Sequence, residues 1–489
     1  MKTLLLTLTL LLASIILNAQ SITESYRINK EALLENVRIL SSAEYGGRLP
    51  GSPGYNMAAK FAADKFAGLG LKPAGDNGYF KFFNIEYNQI DTPAVFKVIT
   101  ATDTTNYELG KDFVMRGFTG SNSFTLPVVF CGYGISRPDL EYDDYAGVNV
   151  KNKIVMVFKY NPGWKVKDSS WGEGYPREKS LTAIKHGAKG ILFVSLPNDK
   201  EPQPLIGSVL HGEGEQPVDF PQLHISLEAA DKLLHGNGFT IKGCQTKIDE
   251  GKKPFSMNLA AKAMVEVNAH YEKNAGTMDV AGMIEGTDSV LKSEYVVIGA
   301  HLDHVGTQAG LLFPGANDNA SGASGVMEIA KAFVKNGIKP ERSVIFVLFA
   351  GEEQGLNGSK HFVESWKNGY KNITAMLNLD CVGYGDSIKV GNGKSAPNLW
   401  QIARQIDEAG DKMMVADTWN GGGADATPFH EKGIPCLYFV TTNSYDHLHQ
   451  PSDKVETLNP DLYERIVNLA YKTAVDISAG NYKRENVIK

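Results

Sequence analysis

The chain has 489 residues, of which 43% are hydrophobic and 21% are charged, and its formal net charge at pH 7 is −6. These values are ordinary for globular proteins and exclude an intrinsically disordered chain. The length predicts two or three domains. The net negative charge offers none of the basic surface by which nucleic-acid-binding proteins are usually recognised, so no nucleic-acid partner is expected.

The first residues have the composition of an export signal. Met1 and Lys2 precede an apolar stretch of about 15 residues that ends near the small residue Ala19, which is the pattern of a secretory signal peptide. Cleavage near Ala19 predicts that residues 1–19 are removed and that the mature protein is secreted or periplasmic. No later segment reaches the roughly 18 apolar residues that a membrane span needs, and no cysteine follows the cleavage region, so no membrane anchor is expected.

Export to an oxidising compartment would permit disulfide bonds, but the cysteines show no metal-binding or redox spacing. We therefore expect all of them to be small buried apolar residues without a function. They are Cys131, Cys244, Cys381 and Cys436.

Residues 20–106 mix helical segments with turns. The glycine- and proline-rich segment Leu40–Tyr55 predicts a loop, and it is followed by a helix that is stopped by Gly68 and Gly70. From residue 107 to 258 the pattern changes to short runs rich in β-branched residues, with one short helix between them. This composition predicts a separate small β-rich module.

From residue 259 to the end, apolar strands alternate with amphipathic helices. Strands are predicted at 295–300, 343–350, 375–380 and 435–440, and the last helix at about 459–478. This alternation is typical of an α/β domain whose central sheet is mainly parallel. The functional sites of such sheets lie beyond the carboxyl ends of the strands.

Histidines and carboxylates follow these predicted strands at their carboxyl ends. Each of these residues also has a purely structural explanation: an aspartate can cap a helix or lie in a turn, and paired glutamates favour the first turn of a helix. Several such residues at one edge of one sheet favour a shared site instead. Oxygen and nitrogen ligands without cysteine are those of catalytic zinc sites. The residues are His301, Asp303, Asp318, Glu352, Glu353, Asp380 and the histidine pair His447 and His449.

The motifs around these residues resemble those of the secreted bacterial co-catalytic di-zinc aminopeptidases, whose relatives include glutamate carboxypeptidases and glutaminyl cyclases. The motifs are G-A-H-L-D-H, N-D-N-A-S-G, A-G-E-E-Q-G, N-L-D and H-Q-P-S-D, which follow one another across residues 295–455. The stretch Glu44–Gly54 is also similar to that family, and residues 107–258 resemble the protease-associated domain inserted in many of these enzymes. The resemblance implies a three-layer α/β catalytic domain formed by 20–106 and 259–489.

The resemblance also implies roles for individual residues. His301 and Asp380 would hold one zinc ion, Glu353 and His449 the other, and Asp318 would bridge the two. Asp303 would hydrogen-bond the His301 imidazole and fix its tautomer. Glu352 would be the general base that takes a proton from the attacking water. The final histidine of the family is followed four residues later by aspartate, which favours His449 over His447 as the ligand.

The activity implied is removal of single residues from peptide N-termini, with peptides as substrates and two Zn²⁺ per chain. A glutaminyl cyclase with one zinc and a carboxypeptidase acting on acidic C-termini remain alternatives of the same fold. A receptor-like relative that has lost its metal is a non-enzymatic alternative. The presence of all five proposed metal ligands and of the base argues against it.

Overall fold

The computed structural model describes residues 25–166, 169–172, 174–212 and 214–488. The predicted signal peptide, residues 1–19, lies outside these ranges. Among the described residues, no helix combines the length and the apolar character needed to cross a membrane.

Helices occur mainly in the first 70 residues and in the C-terminal half. Several begin where a capping side chain or a proline favours a first turn: Ser52, for example, accepts a hydrogen bond from the backbone N–H of Tyr55, and Pro53 is the first helical residue. The helices are α1 Lys30–Leu40, α2 Pro53–Gly68, α3 Pro176–Lys185, α4 Leu227–Leu234, α5 Ile241–Gly251, α6 Gly322–Lys335, α7 Asn357–Ser365, α8 Pro397–Ala409, α9 Ala426–Glu431 and α10 Pro460–Asp476.

The strands differ greatly in length. The two longest, β2 and β11, extend through both the α/β region and the β-rich region. They are β1 Lys72–Pro73, β2 Phe80–Ile99, β3 Thr104–Asn106, β4 Phe113–Met115, β5 Asn122–Cys131, β6 Ser136–Arg137, β7 Tyr142–Asp143, β8 Ile154–Phe158, β9 Gly190–Val194, β10 Gln222–Ile225, β11 Ser256–Ile284, β12 Tyr295–His301, β13 Gly306–Gln308, β14 Leu311–Phe313, β15 Ser343–Phe349, β16 Ile373–Leu379, β17 Ile388–Gly391 and β18 Cys436–Thr441.

The central sheet of the α/β region has the order β17-β18-β16-β12-β15-β11. Strands β18, β16, β12 and β15 are parallel, while β17 and β11 run antiparallel at the two sides. Alternate residues of β15 enter different cores: Phe346 packs with α1, α2, α6 and α10, whereas Val347 packs with α7 and α9. This three-layer α/β architecture confirms the predicted fold class.

The β-rich region continues the same sheet, because β11 pairs with β15 at one end and with β5 at the other. Beyond β5 follow β8, β9, β10 and β4. The core of this region contains Phe96 and Val98 from β2 and Val265 and Val267 from β11. The packed unit is therefore wider than residues 107–258, since two strands that flank that range supply part of its core. The division of the chain at 107 and 258 stays a prediction.

The segment Leu40–Tyr55 is more ordered than the loop predicted for it. It contains a 3-10 helix at Ala43–Arg48, and α2 already begins at Pro53. The glycines and prolines that predicted a loop serve here as the tight turns and the helix start. The four cysteines are buried and unpaired, as expected.

Candidate metal centre

Adjacent parallel strands bring the predicted site residues together. His301 ends β12, Glu352 and Glu353 follow β15, and Asp380 follows β16, while His449 lies in the loop after β18. Strand β12 lies between β16 and β15, so their carboxyl ends meet at one edge of the sheet. The set His301, Asp318, Glu353, Asp380 and His449 is called the candidate metal centre below.

One half of the centre consists of His301, Asp318 and Asp380. The His301 Nε2 atom lies 3.4 Å from Asp318 Oδ1 and 3.4 Å from Asp380 Oδ1. Ligand atoms about 2.0–2.1 Å from a tetrahedral zinc ion are about 3.3–3.4 Å apart, so this spacing fits such an ion. Asp380 Oδ1 is buried and accepts no hydrogen bond, which leaves it free for a cation.

The other half consists of Asp318, Glu353 and His449. The His449 Nε2 atom lies 3.1 Å from Asp318 Oδ2 and 2.8 Å from Glu353 Oε2. Asp318 thus turns one carboxylate oxygen toward each half. Both halves have the composition and spacing of groups that could hold a metal ion.

The Asp318 loop is held by a second aspartate. Asp453 accepts hydrogen bonds from the backbone N–H groups of Asn317 at 2.8 Å and Asp318 at 3.0 Å. Burial raises the pKa of Asp453 to about 7. Because Asp453 lies four residues after His449, its carboxylate fixes the loops of two centre residues relative to each other.

Asp303 lies beside His301, but its contacts differ from those predicted. The His301 Nδ1 atom is 3.1 Å from the backbone carbonyl oxygen of Asp303 and 3.8 Å from its carboxylate. The turn after β12 brings the carbonyl closer to the ring than the side chain. The carboxylate instead accepts from the backbone N–H groups of Glu352 at 3.2 Å and Glu353 at 3.3 Å. Asp303 therefore positions the glutamate pair, and the backbone carbonyl orients the imidazole.

The adjacent glutamates face different partners. Glu353 contacts His449, while Glu352 lies near enough to His301 for their charges to interact. Burial and the charge of Glu353 raise the pKa of Glu352 well above its ordinary value, although His301 opposes the shift. Burial also acts to raise the pKa of Glu353, but His449 and His304 hold it well below its ordinary value. Without a bound cation, the two carboxylates thus differ strongly in proton affinity.

His304 is a site residue that the sequence reasoning missed. Its Nδ1 atom lies 2.9 Å from Glu353 Oε1 and 3.7 Å from Asp318 Oδ2, and its buried Nε2 has no hydrogen-bond partner. The second histidine of the H-L-D-H motif was the available signal. His304 could orient Glu353 or serve as a further ligand in that half of the centre.

Tyr438 on β18 also contacts the centre. Its hydroxyl donates a 2.8 Å hydrogen bond to Asp380 Oδ2, the oxygen that does not face His301. This contact fixes the orientation of the Asp380 carboxylate.

Arg48 is the second residue whose role the sequence did not reveal. It is fully buried, and its guanidinium donates to four carbonyl groups at 2.7–2.8 Å. Leu302 follows His301, while Pro314 and Gly315 precede Asp318, so one side chain ties the two loops together. The acceptors are Leu40, Leu302, Pro314 and Gly315.

His447 lies outside the centre. Its Nδ1 atom is 3.0 Å from Ser452 Oγ, and its ring contacts that of Tyr384 at a centroid distance of 5.1 Å. The structure thus brings His449, and not His447, to Asp318 and Glu353.

Part of the chain is similar to a known protein family. Residues 279–474, which contain the whole candidate metal centre, match the model of peptidase family M28. A probable leucine aminopeptidase of Arthroderma benhamiae is 30% identical over 197 residues, covering 37% of this chain and 55% of that protein. Aminopeptidase YwaD of Bacillus subtilis is 24% identical over 412 residues, covering 81% of this chain and 77% of that protein. The chain thus spans only about half of the first relative and about three quarters of the second.

Two solved structures share the fold over 94% of this chain. A peptidase M28 precursor from Shewanella amazonensis SB2B has a TM-score of 0.69 at 20% identity, over 96% of its length. A zinc aminopeptidase from Bacillus subtilis has a TM-score of 0.64 at 19% identity, over 98% of its length. The chain therefore shares the fold of these two structures, and its residues 279–474 are similar to peptidase family M28.

Proposed function

We propose that the protein is an exported zinc-dependent aminopeptidase that removes single residues from peptide N-termini. The observation that carries this proposal is the position of Asp318, which turns one oxygen toward His301 and the other toward His449. A carboxylate between two sets of ligands suits a pair of zinc ions that act together. The names of the relatives, aminopeptidase and zinc metalloprotease, support the same activity.

The residues fit the proposed zinc pair. His301 and Asp380 would hold one ion, Glu353 and His449 the other, and Asp318 would contact both. When bound, zinc supplies the Lewis acidity that lowers the pKa of a water molecule and polarises a peptide carbonyl. The excess of carboxylates over histidines in this buried centre also suits divalent cations.

Glu352 is the proposed general base. Burial and neighbouring carboxylates raise its pKa, which increases its affinity for the proton that it would take from the attacking water. It would then pass this proton to the amine that leaves the cleaved peptide bond. Asp303 would act through Glu352, because it holds the backbone N–H of that residue at 3.2 Å.

An assay of the purified full-length mature chain tests this proposal. Peptides with a free N-terminus, the same peptides with an acetylated N-terminus and peptides with N-terminal glutamine should be incubated with protein of known zinc content. We expect the N-terminal residue to be released from free-amine peptides only, and about two zinc ions per chain. Release of C-terminal residues, or cyclisation of N-terminal glutamine without hydrolysis, would replace the proposal by a carboxypeptidase or a glutaminyl cyclase.

A further inference from the structure

A cavity of about 280 Å³ extends from the candidate metal centre into the β-rich region. Glu353 and His449 line it on the side of the centre, and Arg116 and Lys159 belong to the β-rich side. The two sides are hydrogen-bonded to each other, because the backbone N–H of Gly207 donates to the carbonyl of His449 at 2.8 Å. The β-rich region therefore supplies part of the wall beside the centre.

Arg116 is a buried cation with no anionic partner among the described residues. Only 6% of the residue is exposed, and its Nε and Nη1 atoms are buried and make no hydrogen bond. Its guanidinium lies 5.6 Å from the centroid of the Phe118 ring. Burial lowers the pKa of Arg116 to about 10, so the guanidinium stays charged at neutral pH.

Lys159 is the second cation of this cavity. It is 3% exposed, donates to Gln203 Oε1 and lies 5.3 Å from the centroid of the Tyr160 ring. Burial and the charge of Arg116 lower its pKa well below the ordinary value. Arg116 and Lys159 are called the basic pair below.

The surroundings of the basic pair do not compensate its charge. Among the described residues, no carboxylate lies within ion-pair distance of either cation. His224, which is close enough to interact with both, has its pKa lowered well below the ordinary value by burial and by their charges. A buried charge without a counter-charge is unfavourable. A cavity that opens onto such a charge is therefore suited to an anionic ligand.

We propose that the basic pair binds a carboxylate of the peptide substrate while the scissile bond lies at the candidate metal centre. The Nε and Nη1 atoms of Arg116 are buried, so Nη2 is the guanidinium nitrogen left to donate a charge-assisted hydrogen bond to a carboxylate oxygen in the cavity. The same cavity contacts Glu353 and His449, so one short peptide can reach both groups. This inference rests on the proposed aminopeptidase activity and adds a substrate class to it. The carboxylate is either an acidic side chain or the C-terminus of a short peptide.

Two matched substrate pairs separate these sources. Glutamyl and glutaminyl p-nitroanilides differ by one side-chain charge, and Ala-Ala-Ala and its C-terminal amide differ by one terminal charge. We expect the carboxylate-bearing member of at least one pair to be preferred about 10-fold or more in kcat/KM, mainly through KM, because charge-assisted hydrogen bonds are lost with the neutral member. The preferred pair identifies the source of the carboxylate.

Arg116→Gln should remove this preference, while Arg137→Gln should keep it. Arg137 is a matched control, because it lies in the same region, is partly exposed and already pairs with Asp139 at 2.6 Å. Arg116→Lys, which keeps the charge, should retain part of the preference. Thermal melting of each variant checks folding, and if Arg116→Gln fails to fold, Lys159→Gln takes its place in the same comparison.

Equal kcat/KM within both pairs, or a preference that survives Arg116→Gln, would overturn the inference. Failure of the proposed function gives a different result, namely no release of an N-terminal residue from any of these substrates. In that case, binding of glutarate to the metal-free protein is measured by calorimetry. Glutarate binding that is abolished by Arg116→Gln would support a carboxylate site at the basic pair. No glutarate binding would overturn the inference.

Discussion

Two groups of buried charged residues line one cavity but carry opposite excess charge. In the candidate metal centre and beside it, carboxylates outnumber histidines, whereas the basic pair has no carboxylate partner among the described residues. The histidines of the centre compensate part of its negative charge, whereas no described carboxylate lies within ion-pair distance of the basic pair, and buried uncompensated charge is destabilising. The sign of the excess charge therefore supports the proposed ligands: cations at the centre and an anion at the basic pair.

The largest effect is expected for Glu352→Gln. The variant loses the base but keeps the proposed ligands, so turnover of a free-amine peptide should fall by about 10²–10⁴-fold. Zinc per chain should remain at the wild-type value. Glu364→Gln is the control, because this exposed glutamate lies on α7 and pairs only with Lys432 at 3.4 Å. Ordinary turnover of Glu352→Gln would mean that the carboxylate excess serves metal binding alone.

The two histidines of the last loop should differ in metal binding. His449→Ala removes a nitrogen that faces both Asp318 and Glu353, so we expect the protein to lose one zinc ion or to bind it at least about 100-fold more weakly. His447→Ala should keep both ions, since that ring contacts Ser452 and Tyr384 instead. Zinc measured per folded chain distinguishes them. The reverse result would move the ligand to His447.

Arg48→Met is expected to lower the zinc affinity of the metal centre, although Arg48 is not one of the proposed ligands. The substitution leaves the carbonyls beside His301 and Asp318 without their buried donor, so these loops should lose their fixed spacing. Positioning contacts of this kind contribute about 10–100-fold to metal affinity. Competition with a zinc chelator measures the effect in protein that still melts cooperatively. Arg38→Met, at an exposed position of α1, is the control, and equal zinc affinities would limit Arg48 to a role in stability.

A smaller effect is expected for Tyr438→Phe. Loss of the 2.8 Å hydrogen bond frees the Asp380 carboxylate to rotate, which should weaken zinc binding by about 10-fold. Tyr384→Phe provides the comparison, because that hydroxyl contacts the exposed Asp446. If both variants bind zinc like the wild type, the Tyr438 hydroxyl does not orient Asp380.

The smallest effect is expected at the basic pair, where a substitution should increase the stability of the protein instead of weakening a function. Arg116→Met replaces an uncompensated buried charge by an apolar side chain, so the free protein should become more stable by about 1 kcal/mol or more. Thermal melting without substrate measures this, with Arg137→Met as the control. A large loss of stability would show that Arg116 has a structural partner and would remove the contrast between the two charged groups.

The sequence predicted the parts of the site that depend on local pattern. Apolar runs such as Ser343–Phe349 predicted the strands. Because sites in such sheets lie beyond the carboxyl ends of the strands, His301, Glu353 and Asp380 were then predicted to lie together. The positioning contacts could not be predicted in this way. Arg48 donates to Leu302, which is 254 residues away, and no periodicity relates the two.

The β-rich region shows the same limit. Composition predicted a module between residues 107 and 258, but the extent of its core depends on two long strands that lie mostly outside this range. Nothing local marks Arg116 as uncompensated, because the absence of a partner is a property of the surrounding packing. The side chain of Asp303 gives a similar lesson, since a backbone carbonyl occupies the position that its carboxylate was expected to take.

Strand β11 restricts how the molecule can move during turnover. Its 29 residues pair with β15 in the α/β region and with β5 in the β-rich region, and β2 pairs with it along most of its length. Swinging the β-rich region away as a rigid body would break many of these backbone hydrogen bonds. Entry of peptides and escape of products are therefore expected to depend on the loops around Gly207 and His449, whose motions take nanoseconds to microseconds, and not on slower hinge opening of whole domains.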